Sequence, residues 1–175
     1  TEILDQFAEM VRLNQMEGVA LSALNLNGAV QTVVSQLDTL AEKRGITVDT
    51  DLNFDLPPVA AADLLLKTAL SEILNNALRY TPSGGRVMIR TMKQGHKAVV
   101  EVCDTGVGIP QEAIEQVFEA QFKVNEARTS DGSTGGFGLS MVKRIAELHR
   151  GSVEIESVVD QGTTVRLFIP LDMGR

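Results

Sequence analysis

Between Leu70 and Thr81 the chain reads Leu-Ser-Glu-Ile-Leu-Asn-Asn-Ala-Leu-Arg-Tyr-Thr. This stretch constrains the fold most, because a single helix here has to serve a core and a polar surface at once. At about 100° per residue, Leu66, Leu70, Ile73 and Ala77 share one stripe, and Glu72, Asn76 and Arg79 share another roughly 140° round. The first stripe needs an apolar neighbour. The second sets a carboxylate, an amide and a cation in line, which suits the wall of a polyanion site. An ordinary amphipathic helix with a solvated polar face meets the same pattern, so the flanking sequence has to decide.

Upstream, Ile3, Phe7, Met10, Val11 and Met16 recur at helical spacing, which predicts a short amphipathic helix over residues 1–17, ended by Gly18 and needing a partner helix. A loop leads to Asn27 as N-cap of a helix over 28–44 that Gly45 closes. Ile46 to Leu52 alternates apolar and polar and predicts a strand, Pro57-Pro58 marks a turn, and Asp63 is placed to cap the central helix. Downstream, Arg86 to Gln94 and Ala98 to Asp104 flank Gly95-His96-Lys97, the pattern of an antiparallel hairpin with His96 in its solvated turn. A short helix is expected over 111–120. The polar stretch 121–135 is long for a loop inside one domain, a length typical of lids and binding loops. Phe137 to His149 reads as a helix stopped by Gly151, with His149 as a capping cation or surface residue. Ser152 to Val158 and Thr163 to Pro170 read as a closing hairpin.

A length of 175 residues suits one domain with a sizeable core. No apolar run of about 18 residues or more is present to span a bilayer, and Thr1 in place of Met suggests a segment of something longer. The formal charge of −7 argues against a nucleic-acid partner, which would call for a basic surface. A nucleotide is compatible with it, because local donors can outweigh the global field. The lone Cys103, in a strand-like run, is expected to be a buried, inert thiol, and it builds no disulfide framework or cysteine zinc site.

Three glycine clusters follow the central helix in order. Asp104-Thr-Gly-Val-Gly-Ile leaves a strand, where a carboxylate at a pocket rim can accept from an exocyclic amine and glycines let backbone come close; Asp-Thr-Gly is also ordinary turn chemistry. Gly132 and Gly135-Gly-Phe-Gly precede a helix, where free amides favour phosphate, although such a cluster also makes a hinge. Gly162-Thr-Thr fits a hairpin turn. Their succession after a Glu/Asn helix carries more than any one of them.

With that succession the chain, over residues 24–171, resembles the ATP-binding catalytic domain of sensor histidine kinases, in the wider class of gyrase, Hsp90 and MutL (the Bergerat fold). Glu72 to Tyr80 is similar to the family's N box, Asp104 to Gly108 to G1, Val117 to Phe122 to the F box, Ser133 to Leu139 to G2, and Gly162 to Val165 to G3. The resemblance implies an α/β sandwich, with a mixed sheet of about five strands under three main helices and an ATP lid. It implies residues 1–23 as the end of a dimerisation and phosphotransfer helix with its linker, and 24–175 as the catalytic domain. ATP and Mg2+ are the implied cofactors. Asn76 would coordinate magnesium, with Glu72 as a base or holding a metal-bound water. Asp104 would bind the adenine amino group, Arg79 and Tyr80 would approach the phosphates, and Thr164 would lie near the base. Gly106, Gly108, Ile109, Gly136, Phe137, Gly138 and Leu139 would line the nucleotide, and Lys123 and Arg128 in the lid would neutralise phosphate charge.

The implied reaction passes the γ-phosphoryl of Mg-ATP to a histidine on a dimerisation domain, and from there to a response regulator. The parent is expected to be a homodimer and this domain a cytoplasmic monomer that only binds or slowly hydrolyses ATP. No His followed by Glu or Asp and then Pro occurs, so His96 and His149 do not match the phosphoacceptor motif. Gln121 replaces the F box's second Phe, with Phe122 one place later, and Thr134 stands where G2 usually has glycine. These departures keep one rival open, a degenerate nucleotide-binding module that regulates a partner. Glu72 keeps open another, a gyrase- or MutL-like ATPase, for which Glu72→Asn would abolish most turnover.

Overall fold

The central helix is present from Asp63 to Tyr80 in a computed structural model that describes residues 2–119 and 138–174. In chain order the elements are α1 (Glu2–Gln15), β1 (Ser22–Leu24), α2 (Leu26–Arg44), β2 (Thr47–Asp51), β3 (Val59–Ala61), α3 (Asp63–Tyr80), β4 (Arg86–Gln94), β5 (Lys97–Asp104), α4 (Gln111–Ile114), α5 (Gly138–Leu148), β6 (Ser152–Val158) and β7 (Gly162–Pro170). Five strands form one mixed sheet in the order β2-β4-β5-β7-β6. Its β2–β4 pairing is parallel and the others are antiparallel. The short strands β1 and β3 pair separately.

Alternation along the strands decides which face meets the helices. Val87 and Ile89 of β4, Ala98, Val100 and Val102 of β5, and Val165, Leu167 and Ile169 of β7 point into a common core with α2, α3 and α5. The result is an α/β sandwich with three main helices over a five-stranded mixed sheet, as the sequence led us to expect. Leu66, Leu70, Ile73 and Ala77 of α3 are all buried, and so are Leu65, Ala69, Leu74 and Leu78. The helix is covered more widely than one stripe because α2 and α5 flank it while the sheet lies beneath. Full burial of each Leu or Ile contributes about 1.5–3 kcal/mol, so α3 anchors the domain. Glu72, Asn76, Arg79 and Tyr80 remain half-exposed on its other side.

Several local expectations are corrected. The N-cap of α2 is Asn25, whose side chain accepts from the Gly28 N–H at 3.1 Å. Asn27 is instead buried, donating to the Asn53 carbonyl and accepting from the Thr91 hydroxyl, each at 2.8 Å. Asp63 makes no cap hydrogen bond and pairs with Lys67 at 3.1 Å, one turn along an exposed face. Strand β1 lies where a loop was expected, and β3 follows the Pro57-Pro58 turn; each is three residues long and too short to show alternation. Cys103 is half-buried on the far face of the sheet, where it accepts from the Thr164 hydroxyl.

His149 departs furthest from expectation. It is completely buried, not a surface cation. Its Nε2 accepts from the Ala62 N–H at 3.0 Å and its Nδ1 lies 2.7 Å from the Ile145 carbonyl. A nitrogen that accepts from an amide carries no proton, and one facing a carbonyl carries it, so the ring is the neutral Nδ1–H tautomer. The bond satisfies the amide of the residue preceding α3, the task left undone by Asp63. The amphipathic first helix does pack on a partner helix, α5. Leu13 of α1 is fully buried, while Phe7 and Val11 are exposed.

Candidate functional site

Asp104 ends β5 at the point where the sheet gives way to the first glycine loop. Its Oδ1 accepts from the Gly106 N–H at 2.8 Å and from the Thr163 N–H at 3.2 Å. Burial raises its carboxyl pKa above the ordinary value, and these two amide bonds partly oppose that shift. Oδ2 makes no hydrogen bond with the described residues. The site therefore holds one carboxylate oxygen fixed by the backbone and the other available to a donor.

The glycines around Asp104 answer first to chain packing on chain. Gly108 has φ +73°, and a Cβ there would lie 2.2 Å from the Val158 carbonyl oxygen of the β6–β7 turn; at Gly162, φ +133°, a Cβ would lie 1.9 Å from the Asp104 carbonyl. The loop 105–109 is thus clamped between that turn and α3, whose Tyr80 carbonyl accepts from the Val107 N–H at 3.1 Å. The Val107 carbonyl accepts from the Asp160 N–H at 2.8 Å. Ile109 is buried with Leu139 and Val117 in a small second cluster that α4 and Ile155 help to cover.

The polar face of α3 reaches this assembly at both ends. Tyr80 meets the loop through its carbonyl. Glu72 meets the start of α5, where a Cβ on Gly138 would sit 2.8 Å from Glu72 Oε2. Only a residue without a side chain lets that carboxylate come so close to the first turn of α5. Asn76 and Arg79 lie between these ends, and the side chains of Asn76, Arg79 and Tyr80 make no hydrogen bond with the described residues.

The structure thus brings together Glu72, Tyr80, Asp104, Gly106, Gly108, Ile109, Gly138 and Leu139. Lys123, Arg128, Gly136 and Phe137 lie outside the described residues. Thr164 is displaced from its expected place, because strand alternation turns its side chain to the far face of the sheet, against Cys103 Sγ at 3.2 Å. The residue across from Asp104 is Thr163. Sequence reading also passed over Ser157 and Gln111. Ser157 Oγ accepts from the Ile109 N–H at 2.7 Å, and Gln111 Nε2 donates to the Ser157 carbonyl at 2.7 Å. A signal for Ser157 was present: it follows Val153 and Ile155 on the apolar side of an alternating strand.

Residues 61–173 match the family described as histidine kinase-, DNA gyrase B- and HSP90-like ATPases. The chain belongs to that family. Its relatives include the circadian input-output histidine kinase CikA of Synechocystis sp., 36% identical over 97% of this chain and 23% of the relative. The sensor-like histidine kinase SenX3 of Mycolicibacterium smegmatis is 32% identical over 96% of this chain and 44% of its own length. The adaptive-response sensory kinase SasA of Rippkaea orientalis is 32% identical over 81% of this chain and 36% of its own. This ATPase-family chain therefore spans less than half the length of these three curated relatives. In fold it is similar to the catalytic domain of histidine kinase ThkA, with a TM-score of 0.76 and 24% identity over 87% of this chain and 96% of that one. It is also similar to full-length ShkA, solved in complex with AMPPNP, with a TM-score of 0.83 and 22% identity over 97% of this chain and 35% of that one. Among the described residues, no helix of this ATPase-family chain is long and apolar enough to cross a membrane.

Proposed function

We propose that residues 24–175 are the cytoplasmic ATP-binding catalytic domain of a two-component sensor histidine kinase, with residues 1–23 as the end of a dimerisation and phosphotransfer helix and its linker. The observation that carries this reading is the Asp104 carboxylate at the end of β5, backbone-locked through one oxygen and open through the other, followed by a loop that bonds the last residue of the helix bearing Glu72, Asn76 and Arg79. Asp104 Oδ2 accepts from the adenine amino group, Arg79 faces the phosphates, and Asn76 with Glu72 is the part of the site suited to hold Mg2+. Bound magnesium would supply charge neutralisation on the transferring γ-phosphoryl. The chain's own share is positioning, with α3 and the 105–109 loop fixing the two ends of the nucleotide relative to each other. The acceptor is a histidine on the dimerisation domain, and a response regulator then takes the phosphoryl group.

The test is transfer from radiolabelled ATP to a separately supplied dimerisation domain of the parent protein. Transfer that requires magnesium and is lost in Asn76→Ala is the expected result. Magnesium-dependent hydrolysis without transfer to any histidine would overturn the kinase reading in favour of an ATPase.

A further inference from the structure

We propose that Ser157 is a positioning residue that fixes the Thr163 hydroxyl as an acceptor beside Asp104, and thereby helps the site select a purine carrying an amino group over one carrying a carbonyl at the same position. This deepens the nucleotide reading above and rests on it. The Gly162 carbonyl, 3.0 Å from Ser157 Oγ, can only accept, so it takes the single Ser157 proton. The Ile109 N–H, at 2.7 Å, occupies one lone pair of the same oxygen. Thr163 Oγ1 lies 2.7 Å from Ser157 Oγ, and only the second lone pair remains to it, so Thr163 is the donor of that bond.

The Thr163 proton is then spent and its oxygen keeps two free lone pairs. Thr163 and Asp104 face one another across β7 and β5, and the Thr163 N–H already holds Asp104 Oδ1. Two acceptors, Thr163 Oγ1 and Asp104 Oδ2, thus stand together. An amino group satisfies them, whereas a carbonyl in its place sets lone pairs against lone pairs, the unpaired arrangement that sites reject most strongly. Without the Ser157 hydroxyl, the Thr163 O–H is free to turn and donate. Neither Ser157 nor Thr163 has another described side-chain partner than those named, and both are buried.

Calorimetric titration of the full chain with ADP and with inosine diphosphate, whose base carries an oxo group where adenine has its amine, tests this directly. The wild type is expected to prefer ADP. Ser157→Ala is expected to lower the ADP-to-IDP affinity ratio about tenfold, chiefly by improving IDP binding. Thr163→Val, which keeps the shape and removes both lone pairs, lowers the ratio by weakening ADP binding, and it decides the matter should Ser157→Ala fail to fold. An unchanged ratio, with or without a lower melting temperature, would make Ser157 a structural tie only and overturn the proposal. A wild type that binds neither nucleotide would overturn the nucleotide reading itself.

Discussion

Asp104 carries two demands that pull in opposite directions. Its folded-state pKa is raised by burial, so the ionised carboxylate costs stability that a neutral group would not. The sign follows from linkage: the stabilising share of a raised group is fully present below its unfolded pKa and is lost as pH rises through its folded pKa. At neutral pH, Asp104→Asn keeps an oxygen to accept from Gly106 and Thr163 while removing the buried charge. Thermal melts of the ligand-free chain should therefore show Asp104→Asn more stable than wild type at pH 7, and the difference should close as the pH falls below the ordinary carboxylate range. A less stable Asn variant at pH 7 would contradict this. The sequence showed Asp104 as an acceptor because an acid followed by glycines at a strand end is a local pattern. Thr163 and Ser157 were hidden from it, since their roles depend on which face of a strand each side chain takes and on a partner about fifty residues away.

At the scale of elements, the loop between β5 and α4 is held by contacts that leave no room for a side chain at Gly106 or Gly108. Gly108→Ala combines a left-handed backbone with a Cβ 2.2 Å from a carbonyl oxygen, so a loss of at least about 1–2 kcal/mol is expected in urea denaturation. Helices α3 and α5 approach closely where Glu72 Oε2 lies beside Gly138, and they are tied by the His149 bond at the other end of α5. Truncation of His149 to Ala removes a buried ring and orphans the Ala62 N–H, for an expected loss of about 3–5 kcal/mol in the same measurement. Stability within about 0.5 kcal/mol of wild type would show that the ring is not the bond's essential partner. Long periodic elements such as α2 and α3 were legible because each repeats its signal over several turns. The residues that join elements, Asn27, His149 and Gly138, were misread or incompletely read, because a polar residue inside an apolar pattern does not announce whether it meets water or a distant amide.

The described residues form a sandwich in which α3, the helix proposed to face the nucleotide, is also the core, with α1 docked on α5. Arg144 of α5 makes that docking specific. Its Nε donates to the Leu13 carbonyl at 3.1 Å, and its terminal amino group bonds the Met16 carbonyl, so one guanidinium satisfies the free end of α1. Arg144→Ala should loosen α1 while sparing the sandwich: hydrogen exchange should quicken across residues 8–16 and stay unchanged in α3. Equal acceleration in both would mean that α1 is part of the central cooperative unit. The site at the other end of α5 carries the central claim, that this chain holds an adenine nucleotide through Asp104. Titration of wild type and Asp104→Asn with ADP tests it most directly. Saturable one-site binding to the wild type is expected, weakened roughly tenfold or more in Asp104→Asn. Equal affinity in the two chains, or no binding to the wild type at about millimolar nucleotide, would contradict it.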